Sequence, residues 1–482
     1  MMGPYRNHPV QLAKSALIAV VMSAIIVIST EMLEFAVLGL VIFFFSFRIW
    51  YKTTYFFDEE SIQVNKATAF KADTNIPYSK ISSINLTRSI IDRIIGTVTV
   101  CFNINSGVNA ESPEVSLAMK ADKAEELRAF VEMKIHGNIE TKEEEEFHDY
   151  VTFTNTEVIM HSFLSMSTGA VISSTFFFIY SVFALFSGKA GASGMFALLI
   201  FAFTLLYPML RQLLRYFNFK AYRSGDTIFL EHGMLQTYHT SFDISRINAV
   251  RIQRPFFGRM LRRSYIQAEV VGINAMANDA TPTLCLMTSD WHNRMIMEQL
   301  LPEFIMDELI IMQPRAAAKP LFLKASIWAA VSAGLAAALC IAMVLNRDEI
   351  VEGLGEMPYY AIIALAIAFA SLYVIISFYG CMVSLRQVGY SFGEDKMKFI
   401  YGVVDRVTTI MQYDRVQIAE EISGPLARRY GLSTCKVSFL SSRGSVGGAQ
   451  SGYMISEDAR IISDTMMARI RDGRYDYRKN EI

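Results

Sequence analysis

The chain has 482 residues, 52% of them hydrophobic and 19% charged, with a net charge of −1. That length fits about three domains, but the charged fraction is too small for a soluble protein of this apolarity. Near-neutrality excludes bulk nucleic-acid binding, and five cysteines without a CxxC pair exclude a disulfide framework and a zinc site and fit a reducing compartment.

The chain opens on MMGPYRNHPVQLAK and runs into apolar residues with no small-residue cleavage site, which reads as an anchor that is kept. Apolar runs then come in three pairs: Ser15–Thr30 with Met32–Phe47, Ser162–Phe186 with Met195–Leu210, and Ala325–Leu345 with Pro358–Val383. A helix needs about 20 residues to cross the hydrocarbon core. The second and third pairs supply them; the first does so by borrowing flanking residues. One long first helix would put Glu31 and Glu34 near mid-membrane, an expensive position, so six spans in three hairpins are predicted.

Hairpins place both termini and every long polar segment on one side. The flanks of those segments carry Arg6, Lys14, Arg48, Lys52, Arg211, Arg215, Lys220, Arg223, Arg315, Lys319, Lys324 and Arg386, against Lys189 and Arg347 in the short connections. The excess predicts a cytoplasmic location for the polar segments.

Each polar segment reads as short alternating strands followed by a helical pattern: KADKAEELRAFVEMKI in the first, RMIMEQLLPEFI in the second, EDARIISDTMMARI in the third. The three superpose without gaps on Lys80–Ile81, Arg246–Ile247 and Arg415–Val416. Ten residues on lie Ile90–Ile91, Phe256–Phe257 and Pro425–Leu426; thirteen on, Arg93, Arg259 and Arg428; sixteen on, Gly96, Arg262 and Gly431. This is a threefold internal repeat. The boundaries it implies are hairpins at 1–50, 161–212 and 313–384, domains at 51–138, 213–312 and 385–482, and a linker at 139–160 around the acidic run Glu143–Glu146.

Two apolar helices followed by Trp50, Thr53, Thr54 and Tyr55, then Ile76, Pro77, Lys80 and Ile81, then Ile90, Arg93 and Gly96, resemble the bacterial PH-like (bPH2) membrane proteins, above all the long members with three such units. The resemblance covers nearly the whole chain. It departs where Phe242–Asp243 and Met411–Gln412 replace Ile76–Pro77, and where Arg262 replaces glycine. It implies three PH-like domains, each a strongly bent antiparallel sheet of about seven strands closed by a C-terminal helix. It also implies a smaller membrane protein with one such unit as partner, and a link to envelope stress or resistance to membrane-active compounds. It brings no catalytic residues.

The shared positions Lys80, Arg93, Gly96, Arg415, Arg428 and Gly431 read as structural. The arginine thirteen residues on would anchor a loop through carbonyls or a carboxylate, and glycine would serve the next turn. The second repeat adds an excess in SRINAVRIQRPFFGRMLRR: Arg246, Arg251, Arg254, Arg259, Arg262 and Arg263, with Phe256 and Phe257. Three readings stay open. The stretch contacts anionic headgroups or an acidic partner, with the phenylalanines dipping into the interface; or it is buried between repeats against Glu231, Asp243 or Glu269; or it is solvated surface.

No HExxH, GxSxG or phosphate loop occurs; SRGSVGGAQSGY lacks the lysine, and His232 and His239 read as a hairpin surface. No catalytic residue, metal or cofactor is therefore predicted. The expected protein is non-enzymatic and sits in the bacterial cytoplasmic membrane, where its PH-like domains bind protein partners and anionic lipid. A second copy of the chain is a further partner, and nucleic acid is not one. A transporter or lipid-handling component is the alternative, which flux through reconstituted vesicles separates.

Overall fold

The computed structural model describes the chain except for residues 1, 15–22, 24–33, 68–70, 105–114, 137–149, 187–190, 272–280, 355, 441–445 and 474–482. The acidic run Glu143–Glu146 lies outside the described residues.

The threefold repeat is a structural one. The first unit contains β1 (Met2–Tyr5), α1 (Glu34–Lys52), β2 (Thr53–Phe57), β3 (Ser61–Ala67), β4 (Lys71–Pro77), β5 (Ile81–Arg88), α2 (Ile90–Ile95), β6 (Thr97–Ile104), β7 (Val115–Lys120) and α3 (Ala121–His136). The second contains β8 (Val151–Thr152), α4 (Asn155–Leu164), α5 (Thr168–Phe186), α6 (Gly191–Tyr216), β9 (Lys220–Ser224), β10 (Thr227–His232), β11 (Thr237–Asp243), β12 (Ile247–Arg254), α7 (Phe256–Met260), β13 (Arg263–Val270), β14 (Thr283–Ser289) and α8 (Asp290–Leu300). The third contains β15 (Ile311–Met312), α9 (Ala318–Leu345), α10 (Arg347–Leu354), α11 (Glu356–Gln387), β16 (Gly389–Phe392), β17 (Lys396–Tyr401), β18 (Arg406–Gln412), β19 (Ile418–Ile422), α12 (Pro425–Arg429), β20 (Leu432–Leu440), β21 (Val446–Gln450), β22 (Met454–Ile455) and α13 (Ser456–Arg471).

Each unit forms a PH-like domain: four antiparallel strands, a one-turn 3-10 corner, further strands, and a closing helix. Alternation buries one face of the first sheet, as Tyr55, Phe57, Ile62 and Val64 show. The closing helix supplies Ala124, Leu127 and Val131 to the same core, the stripe its three- and four-residue spacing predicts. Equivalent cores form around Phe219, Ile228 and Leu300 and around Tyr390, Phe399 and Ile462.

Two features depart from the expected boundaries. First, each helical hairpin is inserted within a sheet rather than preceding it. β1, β8 and β15 pair with β2, β9 and β16 across the hairpins. Residues read as linker and span therefore belong to the second domain: Val151, Phe153 and Val158 lie in its core. A two-residue strand has too little alternation to register in sequence.

Second, the described residues show fewer than six spans. Among the described residues three helices are long and apolar enough to cross a membrane, Met195–Tyr216, Arg315–Leu345 and Tyr359–Gln387. The bent pair Asn155–Leu164 and Thr168–Val182 passes only together, with a 73° bend. The run expected to start at Ser162 instead starts at Thr168, because α4 turns aside to pack Leu164 against Tyr265 and Met287. In the first hairpin, α1 carries Glu34, Arg48 and Lys52 within its 19 residues, and most of its partner lies outside the described residues. α5 packs on α6 and α9 on α11; the alanine-rich face of α9 suits close approach.

The sheets run across domain boundaries. The order β7-β6-β5-β11-β10-β9-β8 makes one seven-stranded sheet from the first and second domains, and β14-β13-β12-β18-β17-β16-β15 another from the second and third. Each junction is an antiparallel strand pair, β5 with β11 and β12 with β18.

Candidate interaction surface on the repeated phrase

The repeated phrase supplies two things in every unit: the outer strand of the second sheet (β5, β12, β19) and the short helix after it (α2, α7, α12). The strand makes the seam. At the first junction Arg88 faces Thr237 and Asn85 faces Thr240; at the second Arg254 faces Arg406 and Arg251 faces Thr409. Counted from Lys80, Arg246 and Arg415, these are equivalent positions, so both seams share one register.

Four arginines of the second repeat bind the protein itself. Arg246 Nη2 donates to Ile81 O in the first domain at 3.2 Å. Arg251 pairs with the buried Glu269 at 3.2 Å and donates to Gly448 O in the third domain at 3.3 Å. Arg254 pairs with Asp290 at 2.9 Å, which relieves its position opposite Arg406. Arg259 Nη1 donates to Val403 O in the third domain at 2.8 Å. Of the three acidic residues expected as their partners, Glu269 makes an ion pair and Asp243 acts on Arg246 through its charge while accepting from Ser245 N; Glu231 lies 3.5 Å from His239. Lys396 Nζ donates to Ile305 O at 3.1 Å, and the buried Lys398 to Met306 O, adding to the second seam.

The short helix faces two ways. The residue twelve after the anchor points inward in all three units: Asp92 is 1% exposed, Ala427 3%, and Gly258 is buried. The next residue therefore points out. The Arg93 and Arg428 side chains are exposed; among the described residues the anchoring contact to a carbonyl is made by Arg259 alone. In the first unit the anchor is Asp92. It accepts from Lys14 Nζ (2.5 Å), Ser89 N (2.9 Å), Ser89 Oγ (2.7 Å) and Thr97 Oγ1 (2.8 Å), closing a capping box.

The residue sixteen after each anchor is left-handed in every unit: Gly96 has φ 79°, Gly431 φ 64° and Arg262 φ 53°. The glycine that the second repeat lacks is thus still called for by its backbone. Arg262→Gly is expected to stabilise the protein by about 0.5–1 kcal/mol, and Gly431→Ala to destabilise it by a similar amount, as read from thermal melts.

All three short helices lie where the first helix of their hairpin begins. Asp92 holds Lys14 at the edge of the first apolar run. Phe257 packs with Leu164 ahead of α5. Ala427 and Leu432 pack with Ala317 and Leu321 at the start of α9. Beside these points Ile94, Ile95, Phe256, Met260 and Leu261 are exposed, as are Arg262, Arg93, Arg428 and Arg429.

Asp405 has no counterpart in the sequence reading. It accepts from Thr168 Oγ1 (2.5 Å) and from Phe256 N (3.0 Å), tying the third domain to the second hairpin and to α7. Its partners are 237 and 149 residues away, beyond any local pattern. Among the described residues no His, Cys, Asp and Glu group could hold a metal.

The bacterial PH domain family matches the chain three times, over residues 10–134, 174–288 and 329–469. The chain belongs to that family. No curated protein and no solved structure matches it. The three matches fall on the three units, and each includes its seam strand and short helix, so the PH-domain repeat and the structural repeat are one feature.

Proposed function

We propose that the protein is a non-enzymatic scaffold of the bacterial cytoplasmic membrane, with its termini and PH-like domains in the cytoplasm. Its domains bind anionic lipid on the membrane side and protein partners elsewhere, a smaller membrane protein with one PH-like unit among them. A role in envelope stress or resistance to membrane-active compounds follows from such assembly.

One observation carries this reading: the exposed apolar residues of α2 and α7, with arginines beside them, sit at the mouths of the hairpins. Apolar residues there enter the interface and arginines meet headgroup phosphates. Of the arginine-rich stretch, Arg262, Arg263 and Phe256 supply this contact in the second unit, while Arg246, Arg251 and Arg259 join domains and Arg254 pairs with Asp290 within its own.

Each basic residue near an anionic surface contributes about 1 kcal/mol. Arg262→Ser with Arg263→Ser in the full chain is therefore expected to weaken retention of anionic lipid about thirtyfold, measured by native mass spectrometry from mild detergent. Retention equal to wild type sinks the lipid contact. Selective solute flux through reconstituted vesicles favours the transport alternative instead.

A further inference from the structure

The two seams leave one half of a seam unused at each side of the array. β5 and β12 each pair with the fourth strand of the next domain's first sheet. β19 is their equivalent in the third unit and pairs with β20 alone. β4 is the equivalent of β11 and β18 in the first unit and pairs with β3 alone. Among the described residues no strand covers the outer edge of either.

The exposure of β19 matches a missing partner. Ala249 and Val250, three and four residues after their anchor, are both 0% exposed where β12 meets β18. In β19 the equivalent Ala419 is only half-buried, Glu420 is exposed, and Ile418 and Ile422 remain 49% and 46% exposed. An uncovered edge with apolar side chains is a template for another strand.

We infer that the open edge of β19 pairs with β4 of a second copy of this chain, continuing the array head to tail in the register of the two internal seams. That register places Lys71 opposite Ser423, Ala72 opposite Ile422, Asp73 opposite Glu421, Thr74 opposite Glu420, Asn75 opposite Ala419 and Ile76 opposite Ile418. The occupant is a second copy because this chain carries both complementary edges, and because each internal seam already joins two domains bearing helical hairpins. The one like-charge pair, Asp73 with Glu421, is eased by Arg460, whose Nε lies 4.0 Å from Glu421; Arg254 opposite Arg406 is accommodated in the same way by Asp290. The contact is heterologous, so it builds a ring or an open row rather than a closed dimer. It goes beyond the lipid-contact reading and stands or falls apart from it.

The test uses full-length chains with two different tags, in mild detergent, in a Cys340→Ser background; the other native cysteines are buried. One chain carries Thr74→Cys and the other Glu420→Cys, both at exposed positions. Directly opposed strand residues lie within disulfide reach. Mild oxidation is expected to give at least tenfold more mixed dimer from the pair than from either variant alone. Glu421→Cys in place of Glu420→Cys, whose side chain points to the other face, should lose most of that yield. Asp73→Lys, which turns the like-charge pair into an opposite one, should raise it about threefold at low salt. No mixed dimer, equal yield with Glu421→Cys, or cross-linking of Glu420→Cys only to a different protein overturns the inference.

Discussion

Replacing Arg251 by alanine lowers the melting temperature of the second and third domains by about 6–12 °C. Glu269, its partner at 3.2 Å, has a side chain only 3% exposed, so the substitution leaves a buried carboxylate without its charge partner. Removing one partner of a buried pair costs about 3 kcal/mol or more, and each kcal/mol shifts the midpoint of a domain pair of this size by about 2–4 °C. The seam is weakened too, since Arg251 also donates to Gly448 O and lies over the Phe439 ring of the third domain. Arg251→Leu combined with Glu269→Leu should recover most of the loss, because no charge is then stranded. A differential scanning melt checks both, and an unchanged melt for Arg251→Ala refutes the latch.

Asp92→Ala is expected to destabilise the first domain by about 2–4 kcal/mol, since four donor contacts lose their acceptor and a helix loses its capping box. The neighbouring Arg93→Ala should stay within about 0.5 kcal/mol of wild type, because that side chain is exposed. A pH dependence accompanies the Asp92 network. Burial raises the carboxyl's pKa, but the hydrogen bonds from Lys14, Ser89 and Thr97 outweigh it and hold it below the ordinary 3.8. A carboxyl depressed on folding stabilises fully above its unfolded value and loses that contribution as pH falls through the folded one. The gap in melting temperature between wild type and Asp92→Asn should therefore be constant near neutrality and shrink as pH falls below about 3.8. A gap that grows on acidification would sink the assignment.

The contrast between these neighbours shows what a repeat alignment can and cannot tell. The arginine thirteen residues after each anchor recurs in all three units, yet among the described residues only the Arg259 side chain bonds a carbonyl. The position before it is Asp, Gly and Ala, and that is the one that points inward each time. Side-chain direction on a single helical turn depends on which face the following strand covers, and residue identity does not record it. Gly96 and Gly431 were legible, because a left-handed backbone selects glycine. Their partner Arg262 was not, since an arginine there carries no local mark of strain.

Sequence alone determined the threefold repeat, the apolar runs, the strand-then-helix order of each domain and the family. All of these are local patterns of period two, period 3.6 or fixed spacing, and a linear chain displays them directly. Only the tertiary structure decided that the hairpins interrupt sheets, that neighbouring domains share seven-stranded sheets, and that most of the arginine-rich stretch is turned inward. Those facts rest on pairs such as Arg88 with Thr237 and Arg251 with Gly448, which come together because an uncovered strand edge takes whichever complementary edge the fold brings beside it.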